Sequence, residues 1–80
     1  MKIPVKLIGY SRNTQWQDAV YHTELICRPI VGDEIEIGSS EYKVERIIIK
    51  PDHIQCHVKA YDEIQGFAGW TIVPRKGEGE

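Results

Sequence analysis

No stretch of this sequence approaches the roughly twenty apolar residues that a membrane-spanning helix needs. Cysteine is scarce, with Cys27 and Cys56 the whole complement of 2. That is too few for a disulfide scaffold, and whether the two are bridged stays open. Glycine-rich phosphate loops are missing, as are internal repeats and low-complexity segments. An excess of positive charge is missing too: 10 Lys and Arg stand against 12 Asp and Glu, a formal net charge of −2. Affinity for nucleic acid rests largely on neutralising phosphates and usually shows as a basic surface, so this balance argues against that partner. It does not remove it, because charge can be segregated by face. In the opening Met1-Lys2-Ile3-Pro4-Val5-Lys6, Pro4 and Lys6 break the apolar stretch of a secretory signal, so a cytoplasmic location is expected.

What remains is the composition of one ordinary globular domain: 80 residues, 41% hydrophobic and 28% charged. A body this small buries a modest share of its surface. Closing a sheet on itself, or pairing with a second copy, would help.

The strongest pattern is alternation with period two, the mark of a strand with one buried face. Ile3, Val5 and Leu7 share one parity, with Pro4 and Lys6 on the other. Proline cannot donate to a ladder, which predicts that this strand begins at an edge or before full pairing. Ile35 and Ile37 alternate with Glu34 and Glu36. After the turn cluster Gly38-Ser39-Ser40, Tyr42 and Val44 alternate with Lys43 and Glu45, which makes a hairpin. Three successive β-branched residues, Ile47-Ile48-Ile49, break the rule and require burial on both faces or a bulge. Lys50-Pro51-Asp52-His53 is a turn. Beyond it Ile54, Cys56, Val58 and Ala60 take one face, and His53, Gln55, His57, Lys59 and Tyr61 the other. Trp70, Ile72 and Val73 form a short closing strand stopped by Pro74.

Residues 14–28 fit two descriptions. A helix is suggested by a capping pattern of Thr14 with Gln17 and by Trp16, Val20 and Cys27. A strand is suggested by Ala19, Tyr21, Thr23, Leu25 and Cys27 in alternation. The strand, from about Ala19, is preferred, with a short helix within 14–27 as the alternative. The expected fold is therefore all-β: a small five-stranded antiparallel meander closing into an SH3-like barrel over residues 1–74. The approach Pro29-Ile30-Val31-Gly32-Asp33 to a charged strand shares that general shape. Residues 75–80 are expected to be a disordered charged tail.

Chemistry is thinly represented. His53, Cys56 and His57 lie close in sequence, but alternation sends Cys56 to one face and the histidines to the other, so no metal site is expected. Cys56 sits in the most regular apolar run, where a thiol is inert packing. Ser11, Ser39 and Ser40 lack a nucleophile-elbow pattern. Asp33, Glu34 and Glu36 read as a solvated face, and Asp62 and Glu63 as a loop. No catalytic residue and no cofactor is expected, and the chain reads as a binding module. Tyr10, Trp16 and Phe67, aromatics in expected loops, are the candidate anchors for a protein partner or a second copy, together with an open strand edge. Their other role would be to plug the ends of the barrel, as Trp70 is expected to do. The alternative is a nucleic-acid face made of Lys43, His57, Lys59 and Tyr61, opposed by the neighbouring Glu36, Glu41 and Glu45.

Overall fold

A computed structural model describes residues 2–9, 17–61 and 66–74. Tyr10, Trp16, the cap at Thr14 and the tail 75–80 lie outside the described residues. Among the described residues there are six strands: β1 (Ile3–Gly9), β2 (Gln17–Leu25), β3 (Glu34–Ile37), β4 (Ser40–Ile49), β5 (Ile54–Ala60) and β6 (Thr71–Pro74). No helix occurs among the described residues, and none is long and apolar enough to cross a membrane. The all-β class stands.

The arrangement differs from the expected meander in three ways. All six strands form one sheet in the order β3-β4-β5-β1-β2-β6. Within it β1 runs parallel to β5, from Val5 opposite Ile54 to Gly9 opposite Val58, so the sheet is mixed. Hairpin signals report pairing between consecutive segments only, and this seam joins segments far apart in the chain. Second, β1 lies in the interior of the sheet and is not an edge. The ladder to β5 begins at Val5, one residue beyond Pro4, where β1 is paired with β2 alone through Glu24. The proline therefore stands before full pairing, where its missing N–H withdraws nothing from the parallel ladder. Third, the sheet curls without closing. Edge strands β3 and β6 do not touch each other, which leaves a half-barrel.

The helical alternative for 14–27 gives way over Gln17–Leu25. There Ala19, Tyr21, Thr23 and Leu25 stand opposite Gly9, Leu7, Val5 and Ile3, so period-two sorting on both strands fits one ladder. The strand stops at Leu25, short of Cys27, which is exposed.

The isoleucine run is explained by a bulge in β4. Val44 faces Val58 and Arg46 faces His57, so Glu45 is the extra residue. Past it the parity inverts, which turns Ile47 toward Cys56 and the core and Ile48 toward Gln55 on the outer face. The concave face then collects Val5, Leu7, Ala19, Ile35, Tyr42, Val44, Ile54, Cys56, Val58 and Ala60. Leu7, Val44 and Cys56 are fully enclosed. Burying a side chain such as Leu7 contributes about 1.5–3 kcal/mol. Burial also pushes the Cys56 thiol above its ordinary ionisation range. Cys27 and Cys56 are both free thiols.

Candidate binding surface

Aromatic rings fill the mouth of the concave face. Trp70, just ahead of β6, is buried. Its ring centroid lies 4.8 Å from Tyr42 on β4, 5.4 Å from Tyr21 on β2 and 4.9 Å from Phe67. Phe67 also stacks on Tyr42, with centroids 5.7 Å apart. The Tyr42 hydroxyl donates to the Gly66 carbonyl at 2.8 Å and ties β4 to the last turn. Aromatic pairs at these separations contribute beyond the area they bury. Of the three candidate anchors, then, Phe67 is half-buried and committed to the molecule's own interior. Trp70 takes the plugging role expected of it.

Two sheet edges carry no partner strand among the described residues. β6 is exposed at all four positions, Ile72 and Val73 among them. β3 is set by the segment before it. The Ile30 carbonyl accepts from Asp33 N–H at 2.9 Å with Gly32 at φ +99°, the signature of a turn that only glycine enters without strain. Asp33 Oδ2 in turn accepts from Ile30 N–H at 2.9 Å. Gly32 N–H and the Asp33 carbonyl both bond Val44, which fixes the register of the β3–β4 hairpin. Alternation from that anchor to the closing pair of Ile37 and Ser40 turns the N–H and C=O of Ile35 and Ile37 toward β4. Those of Glu34 and Glu36 are left facing the open side.

Alongside this edge lies a groove of about 430 Å³ lined by Leu25, Ile26, Cys27, Pro29, Ile35 and the acidic residues Asp33, Glu34 and Glu36. Its surroundings are unusually apolar for exposed chain: Ile26 is 84% exposed, Ile30 65% and Val31 57%. Glu34 and Glu36 are also exposed, and the Tyr61 hydroxyl donates to the Glu34 carboxylate at 2.5 Å. That bond to Glu34 raises the ionisation of Tyr61 above its ordinary value.

The convex face carries charge of both signs, and β4 alone presents Glu41, Lys43, Glu45 and Arg46. Glu36 stands opposite Glu41 beside the β3 edge. Lys43 stands opposite both Glu34 and Lys59, and Arg46 opposite His57. Lys6, on β1, neighbours Gln55 and His22. The four residues of the expected nucleic-acid face are thus brought near one another, although the Tyr61 hydroxyl is held by Glu34. Gln55 Nε2 donates to His57 Nε2 at 3.1 Å. Cys56 and His57 do fall on opposite faces, and among the described residues no three His, Cys, Asp or Glu side chains converge as a metal site would need. His53 Nδ1 pairs with Asp52 Oδ1 at 2.7 Å in the turn, and this bond holds the Asp52 carboxyl below its usual range.

Sequence reasoning missed the groove, and with it the position of Glu34 and Glu36. One signal was available: Ile26, Ile30 and Val31 are apolar residues outside any alternating run, clustered around Pro29.

Fold and surface together define an open all-β half-barrel with two edges that have no partner strand among the described residues. Compared with known proteins, the chain matches no family model, no curated protein and no solved structure.

Proposed function

We propose that this protein is a non-enzymatic binding module that docks a protein partner, as an extended strand, along an open edge of its half-barrel. The observation that carries the reading is the β3 edge, where backbone groups of Glu34 and Glu36 face outward beside an apolar groove. Unpaired edge groups are templates for another strand, and natural proteins cover or guard them unless they are used. A strand received there would take the half-barrel toward the closed, SH3-like barrel that the sequence suggests.

The test is Glu36→Pro. Because its N–H faces away from β4, this substitution removes a docking donor and leaves the hairpin ladder intact. Extended peptides selected from a displayed library for binding to the wild-type protein are expected to lose at least tenfold in affinity for the variant, with unchanged circular dichroism. Binders that tolerate the proline would refute edge docking at β3.

A second reading has one specific observation in its favour. Lys43 and Lys59 are direct cross-strand neighbours, an arrangement that like charges disfavour, and neither forms an ion pair among the described residues. Phosphates of a single-stranded nucleic acid would neutralise both, with His57 and Tyr61 alongside. On this reading Lys43→Glu with Lys59→Glu abolishes oligonucleotide binding, and the wild-type affinity falls steeply with salt. Absence of any retention of RNA or DNA at low ionic strength removes it.

A further inference from the structure

We infer that the strand accepted at β3 is a basic one, alternating Lys or Arg with apolar residues, supplied by a different protein. The inference rests on the edge-docking reading and adds the chemistry of the partner.

The pleat decides which side chains meet. A strand hydrogen-bonded to the outward groups of Glu34 and Glu36 sets its own side chains opposite theirs, alternately on the convex and concave sides. On the convex side it meets the carboxylates of Glu34 and Glu36. Glu36 is already opposed by Glu41 on its other flank, a like-charge pair that disfavours the hairpin on its own. A cation beside Glu36 offsets that repulsion, whereas an anion adds to it. On the concave side, the residue level with Ile35 enters the groove lined by Leu25, Ile26, Cys27 and Pro29, which suits an apolar side chain. Basic, apolar, basic is the pattern that satisfies both sides.

The same geometry argues against a second copy of this chain as the occupant. β3 reads Glu-Ile-Glu-Ile over residues 34–37, so two β3 strands paired about a two-fold axis bring glutamates against glutamates. Charge guards this edge against itself and leaves it open to the opposite sign. β6 carries no charged residue and has no such guard.

The probes are two capped seven-residue peptides, one alternating lysine with valine and one alternating glutamate with valine. Each is titrated into full-length protein at near-physiological salt, with binding read by fluorescence anisotropy and the contact mapped by backbone amide shifts. The lysine peptide is expected to bind at least tenfold more tightly than the glutamate peptide, shifting amides in 33–37 and 25–29. The doubly substituted Glu34→Lys, Glu36→Lys protein is expected to reverse that preference. The double substitution also changes the sign of the formal net charge of −2, so diffuse attraction would reverse as well; amide shifts localised to 33–37 and 25–29 in both proteins are what separate strand pairing from it. Equal binding of both peptides, lost in Glu36→Pro, overturns the inference about charge and leaves edge docking standing. Shifts confined to β6 or to the Lys43 and Lys59 face overturn both.

Discussion

Gly9→Ala is expected to destabilise the protein by about 2–3 kcal/mol, within the usual range for overpacking a filled site. A Cβ at this position would lie 2.0 Å from Cε1 and 2.3 Å from Cζ of Phe67, separations that no real pair of carbons tolerates. The ring cannot simply swing aside, because Tyr42 stacks on it and Trp70 meets its edge. It must leave the plug or force β1 outward. Backbone conformation plays no part, since Gly9 is not among the glycines with positive φ. That allows a sharper expectation. In a Phe67→Ala background the clash is gone, and Gly9→Ala should then stabilise by about 0.4–1 kcal/mol, because alanine restricts the unfolded chain more than glycine does. Chemical denaturation of the four proteins of this cycle measures the reversal of sign. If Gly9→Ala costs the same with and without the Phe67 ring, the close approach is not what makes glycine necessary. For a domain of this size each kcal/mol moves the melting temperature by about 4–8 °C, so the effect is large enough to read by thermal melting.

Much of the fold could be read locally. Within β3, the first half of β4 and β5 the chain alternates residue by residue, and the structure buries Ile35, Tyr42, Val44, Ile54, Cys56, Val58 and Ala60 on that rhythm. Even the break in the pattern at Ile47-Ile48-Ile49 pointed to the bulge that resolves it. What escaped was non-local. The pairing of β1 with β5 leaves no mark in either strand that distinguishes it from an antiparallel one, and Pro4 left an edge and a start before full pairing both open, because a truncated ladder and an absent one look alike in sequence. Openness also escaped. Six short strands can close or stay open, and the difference lies in whether β3 and β6 meet, which no residue in either strand announces.

The surface was legible only in part, for a related reason. Exposure of an aromatic in a loop depends on whether the core has room for it, and here the concave face between Tyr42 and Gly9 takes the Phe67 ring. The lysines and histidine of β4 and β5 were correctly sorted to one face, since parity is local. That Lys43 and Lys59 stand directly opposite one another required the register, which the bulge at Glu45 shifts immediately beyond them. Glu34 and Glu36 read as a solvated face because that is what alternating glutamates usually are. Only the sheet order makes their backbone an edge.

Trp70→Ala is expected to cost about 3–5 kcal/mol, the range for truncating a large buried aromatic. Small domains have total stabilities of roughly 5–15 kcal/mol, so this one change can remove a large part of the whole. The reason lies in what the indole joins. Tyr42 sits on β4 and Tyr21 on β2, with β5 and β1 between them in the sheet. Both rings reach Trp70 across the concave face, at 4.8 and 5.4 Å. The tryptophan thereby spans the curl, holding two non-adjacent strands at the distance the half-barrel requires. The backbone N–H of residue 70 donates to the Phe67 carbonyl at 3.0 Å, a bond that alanine keeps and that positions the last turn ahead of the pairing of β6 with β2. With alanine there, the sheet ladders remain, but the rings of Tyr21, Tyr42 and Phe67 lose their common neighbour. The expected signature is therefore uneven: near-ultraviolet circular dichroism from the ordered rings collapses, while far-ultraviolet strand signal persists until the denaturation midpoint, itself shifted to much lower urea. Trp70→Phe, which keeps a ring in the site, should recover most of the loss. A Trp70→Ala protein within about 1 kcal/mol of wild type, with its near-ultraviolet spectrum intact, would mean that the curvature is carried by the β4 bulge and the sheet's own twist, with the aromatic cluster only resting on it.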